Sequence, residues 1–225
     1  MKVFFVFFVF LFCLLPPIIL AFDYYLLSMQ WPPSTCYASL SNYNKCIHPL
    51  PPWFTIHGLW PQNYNSSLPL VCLQTSPFDL TQVTSDPQLL QNMDTLWPNL
   101  LGQNEDFWEH EWTKHGTCTT FTQHDYFQTT CDLAISLGDL RVELQNNGMT
   151  PGQSYPLTNY KVAIESAYNV TPLIACNTDI RTGTNSPIQM FEIRFCVDPT
   201  ANHFINCIWS ISRLCNSSPT IAFPM

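Results

Sequence analysis

The 225 residues are 46% apolar and 11% charged, with 8 Lys and Arg against 16 Asp and Glu for a formal net charge of −8. This is ample material for a buried core, and it excludes a disordered tail, a coiled coil and a diffuse cationic coat for nucleic acid, so any polyanion has to be gripped locally. Ten cysteines beside 7 glycines and 19 prolines point to a cross-linked, loop-containing globule from an oxidising compartment rather than the cytosol.

Met1-Lys2 leads an apolar run, Val3 to Leu15, which Pro16-Pro17 interrupt before a second apolar patch ending near Ala21. The run reads as a signal peptide over residues 1–21. A membrane anchor is the alternative, but the prolines stop the run short of the roughly 20 residues a spanning helix needs. Loss of this segment removes Lys2, takes the net charge from −8 to −9, and leaves residues 22–225, a length suited to one domain with no internal repeat, charge block or Gly/Ser linker to divide it. The mature protein is expected to be secreted, extracellular or vacuolar, with no membrane contact. Sequons at Asn65, Asn169 and Asn216 fit that route as candidate glycosylation sites.

Phe22 to Trp31 and Trp53 to His57 read as strands, the second launched by Pro51-Pro52, with Cys36 to Cys46 a short loop that a bridge could close. Asp86 followed by Pro87 opens a helix whose Leu89, Leu90, Met93, Leu96 and Trp97 recur at helical spacing until Pro98 stops it. Further helices are predicted over Asn104–His115, Tyr126–Leu137, Asp139–Asn147 ahead of Gly148, and Asn159–Tyr168. Ile188–Val197 and His203–Trp209 flank the polar cluster Asp198 to Asn202 and read as a hairpin, which makes the whole α+β. Cys196 and Cys207 lie on either side of that turn and could bridge its strands, leaving Cys176 and Cys215 to tie the ends of the region.

Cys13 departs with the leader, and the nine cysteines that remain are an odd number. One thiol stays free or pairs between chains. Cys131 is the candidate, aligned with Phe127, Ala134 and Ile135 at helical spacing, and a buried free cysteine is the preferred reading. No CxxC pair has a matching CxxC or HxxxH, so a structural zinc site has no support; no metal or cofactor is expected.

Two segments carry chemistry. In Thr55 to Pro61, His57 ends a strand and precedes Gly58, so backbone or ligand can approach it closely. In Trp108 to Cys118, a helix opened by Asn104, with Glu105 and Asp106 in its first turn, is closed by Gly116. There Glu111 and His115 are i,i+4, as are His110 and Lys114, so one face offers two imidazoles, a carboxylate and an ammonium, while Trp108 and Trp112 anchor the helix elsewhere. The plain alternative is a solvated face with ordinary salt bridges. A zinc protease is excluded because its His-Glu-x-x-His places both imidazoles one turn apart, whereas His110 and His115 are five residues apart.

His57-Gly-Leu-Trp-Pro61 and His110-Glu-Trp-Thr-Lys-His-Gly-Thr-Cys118 resemble the two active-site segments of the ribonuclease T2 family. Supporting context runs from Phe22-Asp-Tyr and Gln30-Trp-Pro-Pro through Ser76-Pro-Phe-Asp and Leu96-Trp-Pro-Asn99 to the late cysteines, so the resemblance covers essentially the whole mature chain and is closest to plant members, the S-RNases and their S-like relatives. It implies a central antiparallel sheet flanked by helices, with Cys36 bridged to Cys46, Cys72 to Cys118, Cys176 to Cys215 and Cys196 to Cys207. It also implies metal-free cleavage of single-stranded RNA through 2′,3′-cyclic phosphates, with His115 as general base, His57 as general acid, Glu111 and Lys114 supporting the phosphorane, and His110 assisting phosphate binding. Histidine suits both proton transfers because its unperturbed pKa lies near the working range. Trp60 would stack a base or simply pack in the core, and Gln30 matches a base-contacting glutamine of the family.

An S-like enzyme of defence, phosphate supply or RNA turnover, acting as a monomer, is the leading expectation. A pistil S-RNase, which would add an F-box recognition partner, is disfavoured by the pI of about 5.0 and by the retained His110. A catalytically silent binding or storage protein is disfavoured by the intact His57, His110, Glu111, Lys114 and His115.

Overall fold

The structure, a computed structural model, describes residues 22–64, 76–208 and 215–225. The expected signal peptide, the Asn65 sequon, Cys72 and Trp209 lie outside the described residues.

In chain order come β1 (Tyr24–Gln30), α1 (Pro32–Tyr37), α2 (Leu40–Lys45), β2 (Thr55–Gln62), α3 (Thr81–Thr84), α4 (Pro87–Leu96) and α5 (Asn104–Lys114). They are followed by α6 (Gln123–Leu137), α7 (Leu140–Asn146), β3 (Gln153–Tyr155), α8 (Leu157–Tyr168), β4 (Leu173–Thr178), β5 (Ile188–Val197), β6 (Phe204–Ile205) and β7 (Ile221–Phe223). The mixed composition is as the pattern predicts, but several readings change: the second strand of the predicted hairpin, His203–Trp209, is a strand among the described residues only at Phe204–Ile205. Cys36 to Cys46 is not a plain loop: Pro32 and Pro33 start α1, and the Ser39 side chain caps α2 by accepting from the Asn42 N–H. Nor does the strand that carries His57 end there; it continues to Gln62.

The helix over Pro87–Leu96 forms as its signals require, with the Asp86 carboxylate accepting from the Gln88 and Leu89 N–H groups. Only Leu89, Met93 and Trp97 of its predicted apolar face are fully buried; Leu90 and Leu96 are partly covered. Gly148, at φ +78°, supplies the left-handed turn after α7.

The sheet runs β2-β1-β5-β7-β3, with β4 and β6 also paired to β5. It is antiparallel except where β7 meets β5 in parallel. Along β1, Tyr25, Leu27 and Met29 enter the main core with Ile56, Leu59, Ile193 and Phe195. Helix α6 covers this side, and its buried Tyr126 hydroxyl donates to the Leu59 carbonyl. The alternate residues Leu26, Ser28 and Gln30 point to the opposite face, as the two-residue period of a strand dictates. That face carries the site.

Disulfides among the described residues join Cys36 to Cys46, Cys176 to Cys215 and Cys196 to Cys207; Cys118 is also disulfide-bonded. Cys131 is a free thiol, fully buried on α6 beside Phe127 and Ala134. Ile135, placed by its spacing on the same face, is instead 50% exposed. Burial, with the nearby Asp132 charge, pushes the Cys131 thiol up to about 12, so almost none of the reactive thiolate exists at neutral pH. Under native conditions Cys131 is expected to resist a thiol reagent and to react fully after denaturation. Rapid native labelling, or a covalent dimer abolished by Cys131→Ser, would contradict this.

Candidate active site

The register of β1 and β2 slips by one residue: Ser28 faces Gly58 while Met29 faces Ile56, leaving His57 as the extra residue of a β-bulge. Without the slip, alternation would send His57 into the core. With it, the fully buried Ile56 takes the core side, and His57 joins Gly58 and Trp60 on the face of Ser28 and Gln30. The bulge is held from outside the sheet, since the Trp97 indole N–H donates to the His57 carbonyl at 3.1 Å.

Helix α5 lies over this bulge. Trp108 and Trp112 are its buried anchors, their indole N–H groups donating to the carbonyls of Trp97 and Ser76 at 2.9 Å each. The turn from Gly116 packs so closely on Trp112 that a Cβ there would lie 2.2 Å from the indole. These contacts aim Glu111 and His115 at β2. Glu111 is 1% exposed and accepts from the Trp60 indole N–H at 2.9 Å. Its two oxygens lie 4.0 Å from the His110 and His115 imidazoles, one apiece. Trp60 stands between the proposed acid and base, with its ring centroid 5.0 Å from that of His57 and 5.5 Å from that of His115. It is partly buried and tied to Glu111 by its indole N–H.

The far side of His57 holds a group that the sequence reading missed. His57 Nδ1 lies 2.5 Å from Glu192 Oε1, and Glu192 is fully buried. The other carboxylate oxygen accepts from Arg194 Nε at 2.6 Å. Arg194 also sits 5.1 Å over the Trp60 ring. A Glu and an Arg two apart in a largely apolar strand were the available signal, because charges entering a sheet interior need partners.

Electrostatics separate the two imidazoles. Burial pushes His115 down to about 3, helped by the positive charge of His110, His57 and Lys114. Burial alone would lower His57 as well, but the hydrogen bond and charge of Glu192 outweigh it and raise His57 above its ordinary value. Burial lifts Glu111 to about 7 against the opposing pull of His57, the Trp60 hydrogen bond and Lys114. Burial and the same cations depress the more exposed His110. In mild acid the site thus holds a neutral His115, a protonated His57 and a largely protonated Glu111.

Beside His57 opens a cavity of about 280 Å³ lined by Gln30, Asn99, Leu101, Phe107 and Phe191. Gln30 is buried, accepting from the Thr35 hydroxyl and donating to the Ile56 carbonyl, so it meets the cavity as a pre-oriented amide. Phe107, one helical turn before Glu111 on α5, was unremarked in the sequence. Elsewhere, His48 and His203 are exposed and His124 pairs with Asp86 at 3.2 Å. Asn169 is exposed at the end of α8. Among the described residues no group of His, Cys, Asp and Glu is arranged to hold a metal ion, and no helix is long and apolar enough to cross a membrane.

Comparison with known proteins places these features in context. The family model described as the ribonuclease T2 family matches residues 22–207. Extracellular ribonuclease LE of Solanum lycopersicum is 36% identical over 214 residues, covering 90% of this chain and 87% of its own. Ribonuclease S-2 of Nicotiana alata is 33% identical over 213 residues, covering 90% and 89%. Among solved structures, RNase NT in complex with 5′-AMP superposes with a TM-score of 0.77 at 34% identity, covering 90% of this chain and 98% of that one.

Proposed function

The chain belongs to the ribonuclease T2 family and is an endoribonuclease of the plant type; from that premise we propose that it cuts single-stranded RNA with His115 as general base and His57 as general acid. The observation that carries this reading is the opposite displacement of two neighbouring imidazoles, His115 held neutral and His57 held protonated. Environments that drive two titratable groups apart assign the acid and the base.

His115 takes the proton of the ribose 2′-hydroxyl, whose oxygen attacks phosphorus. The bond from phosphorus to the 5′-oxygen breaks as His57 protonates that oxygen, leaving a 2′,3′-cyclic phosphate and a free 5′-hydroxyl. Glu111, neutral below about 7, donates a hydrogen bond to a phosphoryl oxygen, where an ionised carboxylate would repel the developing charge. Lys114 brings positive charge to the same place, and His110 assists phosphate binding. DNA is not cut because it lacks the 2′-hydroxyl.

Because the cavity flanked by Gln30 and Phe107 adjoins the acid, it receives the base of the departing nucleoside, stacked on Phe107 and read by the Gln30 amide. The acidic pI of about 5.0 and the retained His110 favour an S-like role in defence, phosphate supply or RNA turnover over self-incompatibility. An F-box partner belongs only to the second reading. Residues 1–21 support export, to the cell exterior or the vacuole.

The test is hydrolysis of RNA and DNA in EDTA across pH. RNA is expected to be cut to 2′,3′-cyclic ends while DNA survives. His115 must be unprotonated, so kcat/KM rises as pH climbs through about 3. Glu111 and His57 must be protonated, so it falls above about 7. Loss of activity in EDTA that added metal restores, or a rate still climbing above about pH 8 where an ordinary imidazole is neutral, would overturn the reading.

A further inference from the structure

We infer that Glu192 is the positioning residue for His57: it takes up Nδ1–H from across the sheet and so presents Nε2–H to the leaving oxygen, with Arg194 holding Glu192 in place. This rests on the assignment of His57 as the acid. His57 is on β2 and Glu192 on β5, with β1 between them. Strands two places apart are about 10 Å from axis to axis, so the two side chains meet only by leaning toward each other over β1. Two local features permit that. The bulge re-aims His57, and on β1 the contact passes between the small Ser28, which faces Gly58 and Arg194, and Gln30, which faces Glu192 but has its amide engaged with Thr35 and the Ile56 carbonyl.

The carboxylate is divided between two tasks. Arg194 takes Oε2 through Nε and Nη2, at 2.6 and 2.5 Å, while Oε1 meets the imidazole, at 2.5 Å. Glu192 is fully buried, so its charge has no water to rely on and depends on those two cations. They hold it down to about 2 although burial alone would raise it. An ionised Glu192 in turn favours the imidazolium. The other charges bearing on His57 are Glu111 of α5, which favours its protonation, Arg194 of β5, which opposes it, and the His110 and His115 imidazoles. Among the described residues only Glu192 is in hydrogen-bond contact with its ring. The same carboxylate thus sets the tautomer, the ring angle and the charge of the acid.

Substrates that differ in their need for an acid test this. RNA has a poor alkoxide leaving group, whereas uridine 3′-(4-nitrophenyl phosphate) expels nitrophenolate without protonation. Glu192→Gln is expected to lower kcat/KM on RNA about 10- to 100-fold, the scale for partners that orient a functional histidine. It should bring the basic limb of the pH profile down by about 1–3 units, as loss of an adjacent opposite charge does, and leave the aryl ester within about twofold, since no proton is needed there. His57→Ala, run alongside, should show the same selectivity with a larger loss on RNA. If His57→Ala is selective while Glu192→Gln slows both substrates equally or leaves the basic limb in place, Glu192 is structural and the inference alone fails. If His57→Ala slows both equally, the acid assignment fails and takes the inference with it. Because Glu192→Gln leaves Arg194 short of a partner and folding is at risk, nitrogen-15 NMR of wild-type imidazoles gives an independent reading. His57 should carry its Nδ1 proton throughout and titrate above an ordinary histidine; an ordinary or lower titration overturns the proposal.

Discussion

His115→Ala is expected to lose about 10²- to 10⁴-fold in kcat/KM on RNA, the scale of general acid or base catalysis, and His57→Ala to lose a comparable amount. The two should be separable by pH and substrate. His115 is neutral above about 3, so its loss removes the acidic limb and slows an activated aryl ester as well as RNA, because the 2′-hydroxyl needs a base in both. His57→Ala should spare the aryl ester and slow RNA, because only a good leaving group departs without an acid. His110→Ala should cost less than either: its side chain is 58% exposed and stands 4.0 Å from Glu111, outside the line between the two proposed proton-transfer groups. Equal and mild losses for all three would show that the proton transfers are wrongly placed. Circular dichroism and thermal unfolding of each variant would separate lost chemistry from lost fold.

Gly58→Ala is expected to be nearly as damaging, although Gly58 donates and accepts no proton. A Cβ at this position would lie 2.1 Å from Glu111 Oε2 and 2.3 Å from Trp60 Nε1, well inside van der Waals contact. The buried Glu111 must then move off β2, breaking its hydrogen bond from Trp60 and displacing the turn that carries His115. Misplacing a reacting group by about 1 Å can cost on the order of 10²-fold, and a loss of that order is the expected result. KM should change less than kcat, since the cavity beyond His57 is untouched. Undiminished kcat in a folded Gly58→Ala protein would mean that Glu111 does not need its place against the bulge.

Much of this was legible from residue order because it depends on neighbours along the chain. The Asp86-Pro87 signal starts α4 where it should, because a cap and a first-turn proline act within a few residues. The i,i+4 spacing of Glu111 and His115, and of Trp108 and Trp112, is a property of helical geometry, and the structure keeps the first pair at the site and the second in the core. Where a reading erred, a longer-range contact prevailed. Cys36 to Cys46 contains no apolar stripe, yet α1 runs into it and α2 forms within it, with the Ser34 hydroxyl of α1 donating to the Met190 carbonyl of β5 and a disulfide closing the segment. Ile135 has helical spacing with Cys131 but lies at the edge of the buried face, half exposed.

By itself, the sequence determined that the chain is an α+β protein with two chemistry-bearing segments, because periodicity, caps and motif spacing are written in consecutive residues. Only the tertiary structure decided how those segments meet. The bulge at His57 cannot be read from β2 alone, since a bulge is a mismatch between two strands and needs the register of β1 to exist. The hydrogen bond from His57 to Glu192 joins residues 135 apart in the chain, and it forms because β1 holds β2 and β5 on its two sides and the contact passes over it between Ser28 and Gln30. The charge states follow from the same packing. Two histidines identical in composition are driven in opposite directions, His115 by burial among cations and His57 by contact with a buried carboxylate, and burial is a property of the assembled fold rather than of either residue.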